Sequence, residues 1–382
     1  MKICYLADVR SVHTRRWVEY FAKEHEIDLI TLAYTKKEDT FVPEEVYKKM
    51  GVQVHKVSKK MPFLLFAPFK IRRLIKKIKP DIVHAHYVTQ YGFCGAFSGF
   101  HPLIISPWGS DIAVDPEKSI VKRWLVEYAL ERADAVSGEG KVMKSQLMTL
   151  KCDEDKIAPL RIASVNTNEF HPSKRSESLR KAMGAENDFL VLNARPLIPL
   201  YHVDVFIHAI PFVIEKIPNV KFIIISRTGK EPMKHQIEEL ARKLAIEDEV
   251  ICIGVVPHSK MPEYLASVDL YVDSLVSVSA MDDESSIDET AGIGTTILEA
   301  MSCGVPVLIA NKNRIDKYPY RTYYPLDSKD LAKKIIELLL NENLRKRIRN
   351  DAREFAILTA DRKVVMEKWN NFYFDFYSKY SD

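Results

Sequence analysis

The stretch from residue 292 to residue 310 reads GIGTTILEAMSCGVPVLIA. Gly292 and Gly294 open it as a turn, TTILEAMSCG has the composition of a covered helix, and PVLIA is a short buried strand. A glycine turn, a helix and a strand in this order are the repeating unit of a parallel α/β sheet. One residue resists that reading. Glu299 sits among Ile297, Leu298, Ala300 and Met301, and an uncompensated carboxylate in a covered helix is costly. Glu299 is therefore expected either at the edge of a ligand site or beside a partner.

The same rhythm fills both halves of the chain. KICYLAD, IDLITLAY, GVQVHKV, DIVHAHY, PLIISPWGS and ADAVSGEG read as short apolar strands. RRWVEYFAKEH and FKIRRLIKKIKP read as helices between them, the second stopped by Pro80. This alternation predicts a parallel sheet covered on both faces. The polar segment RIASVNTNEFHPSKRSE breaks the rhythm and reads as a linker. A second unit starts at FLVLNARP and continues through VKFIIIS, VICIGVV, DLYVDSL and PVLIA, with helices in between. The tail is helical, and its aromatic end, Trp369, Phe372, Tyr373, Phe374 and Phe376, needs an apolar surface to pack on. The expected organisation is an N-terminal domain over 1–168, a C-terminal domain over 169–360, and a final helix over 361–382 that packs back on the first domain.

Composition narrows the class. The 382 residues are 47% hydrophobic and 28% charged, which excludes a disordered chain. A net charge of +4 is too small to imply a polyanionic partner by itself. The basic run at 70–79 lacks the interleaved aromatics of a nucleic-acid module, so no nucleic acid is expected. Five scattered cysteines without a CxxC pair argue against a disulfide scaffold or a metal cluster and fit a reducing cytoplasm. MKICYLADV reads as a first strand rather than a signal peptide, and no stretch approaches the length of a bilayer span.

Ligands of doubly wound sheets bind beyond the carboxyl ends of the strands, so the turns hold the candidates. The first turn, ADVRSVHTRRW, contains no glycine, and neither GxGxxG nor a P-loop occurs, which disfavours the usual dinucleotide. Three glycine turns remain: PWGSD at 107–111, SRTGK at 226–230, and the turn before Thr295. In the last of these, glycines allow close approach of the backbone to a ligand. The free amides and positive end of the following helix suit a phosphate. Thr295 or Thr296 would cap the helix or bond that phosphate through a hydroxyl. Arg195 follows the strand FLVLNA; its fork of donors matches a diphosphate, and it reads equally well as a surface salt bridge. Glu299, one helical turn in, is a poor neighbour for phosphate and a good acceptor for vicinal hydroxyls such as those of a ribose.

Taken together, these pieces resemble the retaining, nucleotide-sugar-dependent glycosyltransferases of family four, often labelled group 1. KPDIVHAHY, ISPWGSDI, VNTNEFHP, NARPLIPLYHVDVFIHA, IGVVPHSKMPEYL and, most specifically, GIGTTILEAMSCGVPVLIA carry the likeness across nearly the whole chain. It implies an α/β fold class with two doubly wound Rossmann-like domains facing across a cleft, the GT-B type. It implies that Arg195 holds the donor diphosphate, while Gly292, Ile293, Gly294, Thr295 and Thr296 add backbone and hydroxyl donors. Glu299 would take the ribose hydroxyls, and the loop of Val255, Val256, Pro257 and His258 would lie against the base. Arg195 and Glu299 are the catalytic candidates. No metal or cofactor is implied; a nucleoside-diphosphate sugar, of UDP or GDP, is the donor substrate. The departures from the family pattern concentrate on the sugar. Ala291 stands where a glutamate is usual, and Leu200, Tyr201 and His202 replace a phosphate-binding lysine. Trp108 replaces a histidine, and His13 and Arg16 stand where two glycines are usual.

The acceptor or sugar side is expected at the first domain, with His13, Arg16, His86, Trp108, Gly109 and Asp111 as candidates. Asp111 would orient the PWGSD turn. His84 and His86 alternate on one strand and share a face, where one would be a satisfied core residue. Segment 59–79, KKMPFLLFAPFKIRRLIKKIK, joins an apolar patch to a basic helix. That pattern fits an anionic membrane surface, and also a solvated helix whose apolar side covers the sheet. The expected function is transfer of a hexose or N-acetylhexosamine, with retention, to a glycan or lipid-linked acceptor. The expected location is the cytoplasm, at the inner face of the cell membrane. Two alternatives stand beside it: a nucleotide-sugar epimerase, which would need an acid–base carboxylate pair, and a non-catalytic nucleotide-sugar-binding homologue.

Overall fold

The computed structural model describes residues 1–33, 44–58, 63–197, 199–225, 234–274, 294–310, 322–324 and 327–380. The chain divides into two compact units, one of Met1–Ile162 with Val365–Asp382 and one of Ala163–Val364.

The first unit contains strands β1 (Lys2–Leu6), β2 (Glu26–Ala33), β3 (Gln53–Ser58), β4 (Ile82–His86), β5 (Leu103–Ser106), β6 (Ala135–Ser137) and β7 (Ile157–Ala158). They form one sheet in the order β3-β2-β1-β4-β5-β6-β7, every pair parallel. Successive residues enter different cores. Cys4 and Leu6 pack on one face with Ile71, Val83 and Leu130, whereas Ile3 and Tyr5 pack on the other with Trp17, Phe21 and Ile104. That period-two alternation of apolar residues on both faces is why these strands read as continuous hydrophobic runs.

The helix Arg362–Ser378 completes the second of those faces. Val365, Met366, Trp369, Tyr373 and Phe376 are buried there among Tyr5, Trp17 and Phe21. Trp369 is fully buried; it stacks on His84 at 5.0 Å between ring centroids and donates from Nε1 to the Arg161 carbonyl at 2.7 Å. Burying one such indole stabilises by roughly 4–6 kcal/mol at about 25 cal/mol per Å².

The second unit contains β8 (Phe189–Asn193), β9 (Val220–Ile225), β10 (Val250–Ile253), β11 (Leu270–Asp273), β12 (Val307–Ala310) and β13 (Thr322–Tyr324). Their order is β10-β9-β8-β11-β12-β13, again all parallel. This is the Rossmann strand order, whose direction of winding reverses between β8 and β11. Leu190 and Leu192 face one core with Ile297, Leu298 and Met301. Val191 faces the other with Phe206, Ile210 and three residues of the helix Ser328–Leu340, Leu331, Ile335 and Leu338.

The segment expected as a linker belongs, from Ala163 onward, to the second unit. Val165 and Phe170 are both fully buried in it, and Val165 bridges to Asp361. Two apolar residues inside a polar run are enough to anchor it. Among the described residues, no helix is long and apolar enough to cross a membrane.

Candidate active site

In the second unit, Arg195 lies just beyond β8 and Asp273 ends β11, so the two residues stand at the reversal point of the sheet. Both are buried, at 7% and 1% exposure. Arg195 Nε donates to Asp273 Oδ2 at 2.7 Å, and its Nη2 reaches the same oxygen. Burial by itself disfavours the guanidinium charge, but the Asp273 carboxylate outweighs it and raises the Arg195 pKa above the ordinary value. The backbone is held as well. Asn193 Oδ1 accepts from the Arg195 amide at 3.0 Å, and Asn193 Nδ2 donates to Ser274 Oγ at 3.0 Å.

The helix Thr295–Ser302 starts beside this pair, with Gly294 as its N-cap. A Cβ placed on Gly294 would lie 3.2 Å from Arg195 Nη2. A side chain at this position would push the guanidinium away from the backbone by a few tenths of an ångström. An arginine and the positive end of a helix converge here, and one carboxylate offsets them. Gly294 and Thr295 are half-buried and Thr296 is buried. Gly292, Ile293 and the Ala291 position lie outside the described residues, as does the SRTGK turn.

Glu299 is buried and has the partner that its surroundings demand. His258 Nε2 donates to Glu299 Oε1 at 2.9 Å, and the His258 ring packs 5.5 Å from that of Phe170. The loop before His258 is therefore tied to the same helix. Val255 and Pro257 are exposed, and Val256 is half-buried against the core.

In the first unit, the corresponding reversal lies between β1 and β4. Tyr5 and His84 are register partners there. His84 is satisfied: Nδ1 pairs with the Tyr373 hydroxyl at 2.5 Å and Nε2 with Ser106 Oγ at 2.7 Å. His86, at the end of β4, is 4% exposed, and neither ring nitrogen has a hydrogen-bond partner among the described residues. Burial first, then the nearby His13, lowers its pKa to about 3. Trp108 brings this group together, with ring centroids 4.7 Å from His13 and 5.8 Å from His86. Arg16 is buried on the helix Val12–Phe21. Asp111 fixes the PWGSD turn, accepting from the Trp108 amide at 2.9 Å and the Val88 amide at 2.7 Å. Burial raises its carboxyl to about 6 despite those bonds. Gly109 has φ 101°, a conformation that a side chain would strain.

Two family models match the chain. "Glycosyl transferase 4-like" covers residues 2–138, and "Glycosyl transferases group 1" covers residues 175–355. The chain belongs to the glycosyltransferases. Among curated relatives, this transferase is 21% identical to the N-acetyl-alpha-D-glucosaminyl L-malate synthase of Bacillus anthracis, over 92% of this chain and 89% of that protein. Among solved structures, Anabaena Alr3699/HepE in complex with UDP and glucose is 17% identical with a TM-score of 0.78, covering 97% of this chain and 99% of that one. A protein described as a UDP-N-acetylglucosamine 2-epimerase from Listeria monocytogenes shares the fold at a TM-score of 0.60 and 14% identity, covering 93% of each chain. At these identities the structural likeness establishes the fold, two Rossmann-like units of the GT-B type. No group of three or more His, Cys, Asp or Glu side chains suited to a metal ion occurs among the described residues.

Proposed function

We propose that this transferase moves a sugar, with retention, from a nucleoside-diphosphate donor to an acceptor hydroxyl. The observation that carries the reading is the convergence of Arg195 with the N-terminus of the helix Thr295–Ser302 at the reversal point of the second sheet. The diphosphate would lie against Arg195 and the helix amides, near Thr295 and Thr296. Glu299, oriented by His258, would accept from the ribose hydroxyls. UDP in the Anabaena complex is in keeping with a donor of this class.

The chemistry follows from that placement. As the bond between the anomeric carbon and the diphosphate oxygen breaks, negative charge grows on the leaving oxygen. Arg195 and the helix amides stabilise that charge more than they stabilise the intact donor. The acceptor oxygen bonds to the anomeric carbon from the same face, and its proton passes to the departing phosphate oxygen. His13, Arg16, His86, Trp108, Gly109 and Asp111 are the acceptor-side candidates, with Asp111 holding the turn in place. The sugar is a hexose or N-acetylhexosamine, and the acceptor a glycan or lipid-linked glycan at the inner face of a membrane.

A thermal-shift series with UDP, GDP and their sugars tests the site. At least one nucleoside diphosphate should stabilise the protein by linkage, and Arg195→Ala and Glu299→Ala should lose the shift. No shift with any of them sinks the donor site. Product analysis separates transfer from epimerisation: an epimer of the free donor sugar, without transfer, would reverse the assignment.

A further inference from the structure

The helix Ile120–Arg132 of the first unit has two apolar faces. Val126, Ala129 and Leu130 are buried in the sheet's core. Ile120, Val121 and Trp124 line the opposite side at helical spacing, exposed at 88%, 66% and 53%, while Tyr128 sits between the two faces, packed against the core. A helix of a solvated surface carries polar residues there. The aromatic row continues through Phe93, whose ring lies 6.0 Å from Trp124 and 6.1 Å from Phe97. Phe97 in turn meets Phe69 edge-on at 4.9 Å. Phe69 belongs to the helix Ala67–Ile78 and is 59% exposed, although that helix already covers the sheet with Ala67, Ile71 and Ile75. Leu65 and Phe66, just before it, are exposed too.

The unbalanced charges beside this row are of one sign. Arg72, Arg73, Lys76 and Lys77 are exposed on the helix Ala67–Ile78 and form no ion pair among the described residues. The cations of the other helix are balanced internally, Lys122 by Asp115 and Arg123 by Glu127. A second copy seated on the same face would bring the unbalanced cations together, which is unfavourable. An interface with an apolar layer below a layer of phosphates matches both features.

We propose that these two helices dock the protein on an anionic lipid bilayer, with Ile120, Val121 and Trp124 entering the interface and Arg72, Arg73, Lys76 and Lys77 meeting lipid phosphates. The proposal deepens the reading of the function and rests on it, since it selects a lipid-linked acceptor over a free glycan.

The test is sedimentation of the full chain with vesicles of phosphatidylcholine alone or mixed with phosphatidylglycerol, alongside quenching of tryptophan by lipids brominated along the acyl chain. Binding is expected only with the anionic lipid, with quenching that disappears in Trp124→Ser. Arg72→Ser with Lys76→Ser should weaken partitioning about 25-fold, at about fivefold per cation. Ile120→Ser with Trp124→Ser should abolish insertion. All of these positions are exposed, so each variant should keep the melting temperature of the parent and its nucleoside-diphosphate shift. Equal binding to neutral vesicles, undiminished binding by Ile120→Ser with Trp124→Ser, or a lipid-free dimer that shields Trp124 overturns the proposal. Vesicle binding without any nucleotide shift would reject the donor site and leave the docking face standing.

Discussion

Replacing Asp273 by asparagine keeps the shape of the second unit's reversal point and removes the carboxylate charge that faces Arg195. The guanidinium is 7% exposed, and its Nε and Nη2 both point at Asp273 Oδ2. Asp273→Asn thus leaves a buried cation beside the positive end of a helix. Breaking a buried pair by removing one partner costs about 3–5 kcal/mol. For a unit the size of Ala163–Val364, that lowers the melting temperature by roughly 6–20 °C. A nucleoside diphosphate supplies the missing negative charge, so its stabilising shift should be larger in Asp273→Asn than in the parent. Arg195→Met with Asp273→Leu removes both charges; its stability should return to near that of the parent while the nucleotide shift is lost. Differential scanning calorimetry with and without UDP and GDP reads all three proteins. The reasoning is refuted if Asp273→Asn loses less than about 1 kcal/mol, or if the double variant is no more stable than Asp273→Asn.

Three further outcomes are expected. Gly294→Ala should cost on the order of 1 kcal/mol at the helix N-cap, but its methyl would displace Arg195 Nη2; titration calorimetry should show nucleoside-diphosphate affinity falling by more than stability does. Tyr373→Phe removes the hydroxyl shared by His84 and Tyr5 and should destabilise the first unit by about 1–3 kcal/mol in urea, with the nucleotide shift unchanged. For His86, the folded pKa of about 3 lies below the ordinary 6.5. The neutral ring therefore contributes stability that is present above pH 6.5 and lost as pH falls toward 3. Urea unfolding should show the advantage of the parent over His86→Asn shrinking by about 2 kcal/mol between pH 7 and pH 5. Asp111, with its pKa raised to about 6, has the opposite sign and cancels in that difference.

The strand rhythm makes the α/β class legible because both faces of each sheet's centre are covered, so the central strands are apolar on both sides. Gly294 is legible for a related reason: a glycine leaves room where Arg195 approaches the backbone. Other features depend on contacts between distant residues. Arg195 reads as a ligand or as a salt bridge until the fold brings Asp273 to it from the neighbouring strand. A partner of Glu299 is His258, for which the resemblance implies only a place in a loop against the base. His84 and His86 share a face as their spacing requires, but only the packing of Tyr373 and Ser106 decides which is satisfied. The second apolar face of Ile120–Arg132 is hidden in the sequence, because Lys122, Arg123 and Glu127 interrupt it and only the fold shows which of the apolar residues cover the sheet.

The return of the chain to the first unit has a consequence for biosynthesis. Trp369 and Tyr373 close the face formed by Tyr5, Trp17 and His84, yet the ribosome makes them after the whole of Ala163–Val364. The second unit has all of its residues while the first still lacks a wall. A chain ended before Val365 and released would hold every residue of the second unit and a first unit with Tyr5 and His84 uncovered. The order of completion is thus the reverse of the order of synthesis, and the first unit is the part of the molecule with the longer need for a chaperone.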